Sequence, residues 1–139
     1  MQSLPHVYKA SASGGPDGPM PLDSPGLATL DTDAPAEFGG SGDYWSPETL
    51  LVGAVANCFI LTFRALSRHA KLEWTSLAVA VEGTLNKTDS GLRFTHFEIR
   101  VQGDESMGEA HHAVLENAKK HCLITNSLLA ECSLRIEGR

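Results

Sequence analysis

The sequence predicts an α+β domain, and three observations predict it. The first 47 residues hold all seven prolines and seven of the 13 glycines, a density that favours short strands and turns over helix. A long apolar helix follows, with a sharply marked start at Ser46-Pro47-Glu48. Beyond it the pattern reads hairpin, amphipathic helix, strand. At 139 residues the chain suits one domain, taken as residues 1–139.

In order along the chain, Val7–Ser13 alternates weakly and predicts a first strand. Gly14–Pro21 reads as a turn-rich link, Gly26–Thr32 as a second strand, and Gly39–Asp43 as a loop. Ser46 suits a helix N-cap, Pro47 the first helical position, and Glu48 the first turn, where the helix dipole favours an anion. The helix should run to about Ala70. From Leu50 to Phe63, 11 of 14 residues are apolar, on nearly every side. A membrane span needs about 20, so a buried helix is expected, covered all round by sheet or within a dimer.

Thr75–Lys87 alternates Leu77, Val79 and Val81; Leu92–Gln102 alternates Phe97, Ile99 and Val101; Asp89–Gly91 turns between them. Met107–His121 predicts a second helix. Ala110, Val114, Ala118 and Cys122 fall four apart, giving an apolar stripe that ends on a cysteine. A short helix over 123–130 and a strand over Cys132–Ile136 complete the chain.

Charge narrows the function. Eleven Lys and Arg against 17 Asp and Glu give a net charge of -6, which argues against a nucleic-acid partner. Residues 1–63 carry seven acids and a single cation, Lys9. Three cysteines, Cys58, Cys122 and Cys132, are too few and too scattered for a secreted disulfide scaffold, and Met1–Pro5 does not open a signal peptide. A cytoplasmic protein with reduced thiols and no membrane partner is expected.

Cys58 sits mid-helix in apolar surroundings, which by themselves raise a thiol pKa. Cys122 follows Lys119, Lys120 and His121 and precedes a helix start, both of which favour a thiolate. Cys132 lies in strand alternation and reads as a core filler. Cys58, Cys122, His121, His111 and His112 show neither CxxC nor HxxxH spacing, so no metal is expected. His111 and His112 are read as the exposed flank of the second helix, and Phe38, Tyr44 and Trp45 as packing residues.

Two segments carry a family resemblance. Ser46–Phe59 (SPETLLVGAVANCF) resembles the signature of the OsmC/Ohr family, with Pro-Glu opening a long helix and Cys-Phe ten residues on. His121–Leu128 (HCLITNSL) resembles the family's second cysteine motif, and the 64 residues between Cys58 and Cys122 fit as well. The resemblance implies an intertwined homodimer, with central helices wrapped by antiparallel sheets. It also implies a thiol-dependent peroxidase. Cys58 would be oxidised by an organic hydroperoxide to a sulfenic acid, and Cys122 would resolve it as a disulfide. An external thiol reductant, often a lipoyl group, would restore the dithiol with no bound cofactor. Glu48 matches the family's helix-start carboxylate. On one helix, Glu48 and Cys58 are about 15 Å apart, so a site that uses both draws one from a partner chain.

The chain departs from that family at one point. Active members place an N-terminal arginine beside the reactive cysteine, held by the helix-start glutamate. Here the first arginine is Arg64, and the corresponding loops read Pro16 and Pro19, or Ala36 and Glu37. Three readings stay open. Another cation (Arg64, Arg68 or His121) substitutes. Alternatively, Cys122 is the more reactive thiol. In the third, the protein is a non-catalytic dimer binding an apolar ligand.

Overall fold

Proline and glycine leave the N-terminal segment only three short strands in the computed structural model of the chain, which describes residues 1–137. These are β1 (Ser11–Ala12), β2 (Met20–Asp23) and β3 (Leu30–Thr32), an antiparallel sheet in the order β1-β2-β3. The strands expected over 7–13 and 26–32 thus shrink to their last residues, and β2 appears where a link was expected. Pro21 hides it from a sequence reading, because proline cannot donate to a ladder. The fold accommodates it: Leu22 and Asp23 pair with β1, whereas Pro21 pairs only with Asp31 of β3.

The chain divides into two compact units between Leu50 and Leu51. The division falls inside helix α1 (Pro47–His69). Its start is as expected from local chemistry. The Ser46 Oγ accepts the Thr49 N–H at 3.0 Å, and Thr49 Oγ1 accepts the Ser46 N–H at 2.8 Å, a reciprocal cap. The helix stops where Lys71 turns left-handed at φ 55°. Leu72 N–H then bonds the Ser67 carbonyl at 2.9 Å and Lys71 N–H that of Arg68 at 3.2 Å, which satisfies two of the last orphan carbonyls.

In the second unit α1 buries one stripe, Val55, Phe59, Phe63 and Ser67, spaced by four. Its apolar members join Phe97, Ile99, Val101, Met107, Leu115 and Ala118 in a single core. Each fully buried phenylalanine contributes about 1.5–3 kcal/mol of transfer free energy. Within one chain the rest of the helix is half-buried or exposed, so the sheet alone does not cover it all round. Leu61 is 45% exposed, and α1 is long and apolar enough, by length and composition, to cross a membrane. One chain lacks the material to sheathe it.

The hairpin forms as expected from β4 (Leu77–Thr88) and β5 (Gly91–Gly103). Strand β6 (Glu131–Glu137) then pairs with β5 in parallel. This sheet is therefore mixed, not antiparallel as the resemblance implied. A parallel return needs a crossover, and α2 (Glu109–His121) with α3 (Leu123–Asn126) supplies it. Gly83 of β4 lets the sheet approach α1. A Cβ there would stand 2.9 Å from Phe97 and from Val52, and 3.0 Å from Phe94. Gly83→Ala is expected to destabilise the fold by about 1–3 kcal/mol through overpacking, read as a lower urea midpoint at unchanged slope.

The buried stripe of α2 is His111, Leu115 and Ala118, leading to the buried Cys122; Ala110 is exposed. His111 is thus not on an exposed flank. Its Nδ1 accepts the Gly108 N–H at 3.0 Å, so the ring proton lies on Nε2, which donates to the Glu73 carbonyl at 2.7 Å. The ring caps α2 and ties its start to the segment before β4. His112 is half-buried, with Nε2 out of solvent and unpartnered. Phe38, Tyr44 and Trp45 remain 53%, 42% and 50% exposed, against the expectation of packing.

Candidate functional site

The crossover carries the second cysteine motif back to α1. Cys58 lies in mid-helix and is half-buried; Cys122 is fully buried at the junction of α2 and α3; both are free thiols. The two thiols stand close enough for each to shift the acidity of the other. Cys132 of β6 is also a free thiol and packs against the core, as a filler should.

The environment pushes the two acidities apart. Burial raises the Cys58 thiol pKa, but hydrogen bonds from the Ile124 backbone N–H, the Cys122 thiol, the Thr62 hydroxyl and the Leu123 backbone N–H outweigh it, so Cys58 lies below its ordinary range. The Thr62 hydroxyl is poorly placed to donate to the sulfur. Its hydroxyl proton is committed to the Cys58 carbonyl at 2.7 Å, while Oγ1 stands 3.9 Å from the sulfur. The effective donors are the first amides of α3, unpaired within their helix, and the neighbouring thiol.

Cys122 moves the other way. Burial raises it, Thr125 partly compensates, and the negative charge that Cys58 takes on raises it further. Cys132 is raised as well, first by burial. The surroundings of Cys122 thus disfavour its thiolate relative to that of Cys58, against the expectation that the neighbouring cations and helix start favour it. The amides that follow Cys122 in sequence serve Cys58 in space.

Cations play a smaller part than expected. His121 is exposed, and its Nδ1–H donates to the Asn117 carbonyl at 2.8 Å, one turn back on its own helix. Arg64 and Arg68 are exposed and line a separate open groove of about 770 Å³ with Trp74, Thr75 and Ser106. Six residues of helix rotate Arg64 about 120° away from Cys58 and carry it about 9 Å along the axis. Among the described residues, hydrogen bonds rather than an adjacent cation hold the Cys58 thiol down.

The order of acidity has a direct readout. Iodoacetamide should label Cys58 ahead of Cys122 and Cys132 near neutral pH. Raising the pH should bring Cys58 to its rate plateau before the other two, because each thiol reacts as its thiolate. Peptide mass mapping of the adducts against pH checks this.

Glu48 belongs to the first unit. It lines a pocket of about 270 Å³ with Met20, Thr32, Asp33, Phe38 and Pro47, and its Oε1 is buried without a hydrogen-bond partner. Only this orphaned oxygen marks the residue out. Sequence reasoning identified Glu48 and both cysteines, but missed Ile124, Leu123, Thr62 and Thr125. The signal for three of them lay in HCLITNSL itself, as the first turn of a helix.

Comparisons with known proteins agree with the architecture. The family profile of OsmC-like proteins matches residues 40–137. An uncharacterized protein of Bacillus subtilis (strain 168), YmaD, is 26% identical over 140 residues, covering 96% of this chain and 93% of that one. An OsmC-like protein of unknown function from Vibrio cholerae superposes with a TM-score of 0.84 at 17% identity, covering 95% of this chain and 99% of its own. The organic hydroperoxide resistance protein OsmC of Legionella pneumophila gives 0.82 at 22%, covering 98% and 100%. With both cysteine motifs inside the matched segment, the chain belongs to the OsmC-like protein family.

Proposed function

We propose that this protein is a thiol-dependent peroxidase that reduces organic hydroperoxides in oxidative stress defence. The observation that carries the reading is the neighbouring pair of Cys58 and Cys122 thiols with opposed acidities. The Cys58 thiolate attacks one oxygen of the hydroperoxide. The O–O bond breaks, the sulfur becomes a sulfenic acid, and the alcohol leaves after taking up a proton. Cys122 then attacks the Cys58 sulfur, an S–S bond forms, and the sulfenic oxygen leaves as water. A dithiol reductant, such as a lipoyl group on a protein partner, reduces the disulfide and is itself oxidised.

The division of labour follows from the environment. A half-buried thiolate held by amides meets substrate, whereas a buried neutral thiol is kept from competing for peroxide. Apolar side chains of α1 surround Cys58 and favour an organic hydroperoxide over small polar hydrogen peroxide. The uncovered apolar surface of α1 supports a homodimer in which a second copy covers it. Within this reading the protein works in the cytoplasm, and Glu48 joins a thiol site contributed by the partner chain.

The test is consumption of cumene hydroperoxide with dihydrolipoamide as reductant. Turnover that saturates with peroxide supports the reading. No turnover, together with both thiols still free after peroxide treatment, overturns it in favour of a non-catalytic dimer binding an apolar ligand.

A further inference from the structure

We propose that the groove beside the last turns of α1 binds a small aromatic oxyanion, a flat ring bearing a carboxylate or a phosphate. Arg64 and Arg68 of α1 line about 770 Å³ there with Glu73, Trp74, Thr75 and Ser106 from the segments before β4 and after β5. All of these residues belong to the second unit, and no cysteine is among them.

The two arginines are not explained by the fold. They stand one helical turn apart, a like-charge i, i+4 pair that costs helix stability. No position three or four residues from either is acidic, and Lys71 adds a further cation three residues beyond Arg68. Glu73 lines the same groove, yet among the described residues neither arginine takes part in an ion pair. The helix dipole accounts for Arg68 in the last turn, but not for Arg64 a turn earlier. A pair that the helix would be better without is accounted for by an anion that both guanidiniums hold.

The groove has the donors and the charge for such a ligand. Two guanidiniums against the exposed Glu73 carboxylate leave it net positive. Each presents a planar fork that matches a carboxylate or phosphate. The nearby Asp104 does not compete. Its Oδ2 accepts the Thr75 and Ser76 N–H groups at 3.1 Å each, and its Oδ1 accepts the Ser106 N–H at 2.8 Å and the Ser106 hydroxyl. Those bonds fix the two segments to each other. The half-buried Trp74 ring is anchored against the buried Phe63, with centroids 5.1 Å apart at 73°. It gives the groove a rigid aromatic wall beside the cations, suited to a flat ring.

The test titrates the full 15N-labelled chain with phenyl phosphate, benzoate, benzyl alcohol and inorganic phosphate. The chain has two tryptophans, so Trp45→Phe assigns the two indole N–H signals. Phenyl phosphate, benzoate or both should shift the Trp74 signal saturably and leave that of Trp45 in place; the tighter of the two names the head group. Benzyl alcohol and inorganic phosphate should bind weaker by about tenfold or more, as loss of the charge-assisted hydrogen bonds or of the ring requires. Arg64→Gln and Arg68→Gln should each weaken binding about tenfold while melting at or slightly above the parent, because the like-charge pair is gone. Arg64→Lys should recover only part of the affinity, since it restores the charge without the fork. Cys58→Ser should bind as the parent does, which separates this proposal from the thiol chemistry. A Trp74 signal unmoved by both aryl anions, benzyl alcohol or inorganic phosphate binding as tightly as they do, or parental affinity in either glutamine variant overturns it.

Discussion

Replacing Cys58 by serine is expected to lower hydroperoxide turnover by on the order of 10³-fold or more, the scale seen when a nucleophile is removed from an otherwise intact site. Serine keeps the size and the hydrogen-bonding geometry, so the fold should be unaffected. The loss is chemical. Two α3 amides and a neighbouring thiol lower the Cys58 thiol below its ordinary pKa, whereas an alcohol in the same cradle stays protonated and cannot be oxidised at the attacking atom. The measurement is cumene hydroperoxide consumption under saturating dithiol, with thermal melts to show the variant folded.

Cys122→Ser should fail in a different way. Cys58 retains most of the donors that lower its pKa, because the Ile124 and Leu123 amides remain and a hydroxyl replaces the Cys122 thiol. The first peroxide should therefore still react, with one equivalent of alcohol released rapidly. Turnover should then stop, since no internal thiol can displace the sulfenic oxygen. With excess peroxide the Cys58 sulfur should climb to the sulfinic acid, gaining a second oxygen. A rapid-mix burst assay with intact-mass analysis checks both halves. A variant that turns over like the parent would remove Cys122 from the mechanism.

Much of the fold was legible because its determinants are local. Ser46, Pro47, Glu48 and Thr49 define the start of α1 by capping alone, and the alternation of Phe97, Ile99 and Val101 defines the buried face of β5. What depends on distant partners was not legible. Strand β2 contains a proline that only its register excuses. The parallel pairing of β6 with β5 is a property of the crossover, not of either strand. His111 looked like a surface histidine until Glu73, 38 residues away, accepted its Nε2 proton.

The candidate site shows the same division. The two cysteines stood out by motif and spacing, and the electrostatic device at α3 was recognised as well. It was assigned to the wrong sulfur, because sequence adjacency pointed to Cys122 while the chain folds those amides onto Cys58. The missing N-terminal arginine also reads differently in the structure. Glu48 Oε1 has no hydrogen-bond partner, and among the described residues hydrogen bonds rather than a cation lower the Cys58 thiol.

The central claim is that Cys58 and Cys122 form one redox pair. The most direct measurement treats the reduced protein with one equivalent of cumene hydroperoxide, without reductant, and maps the cysteines by peptide mass spectrometry. The account predicts a peptide pair joined by a Cys58–Cys122 disulfide, two hydrogens lighter than the reduced peptides, with Cys132 still open to alkylation. Free thiols at both positions, a disulfide to Cys132, or a Cys58 sulfinic acid beside an unmodified Cys122 would contradict it.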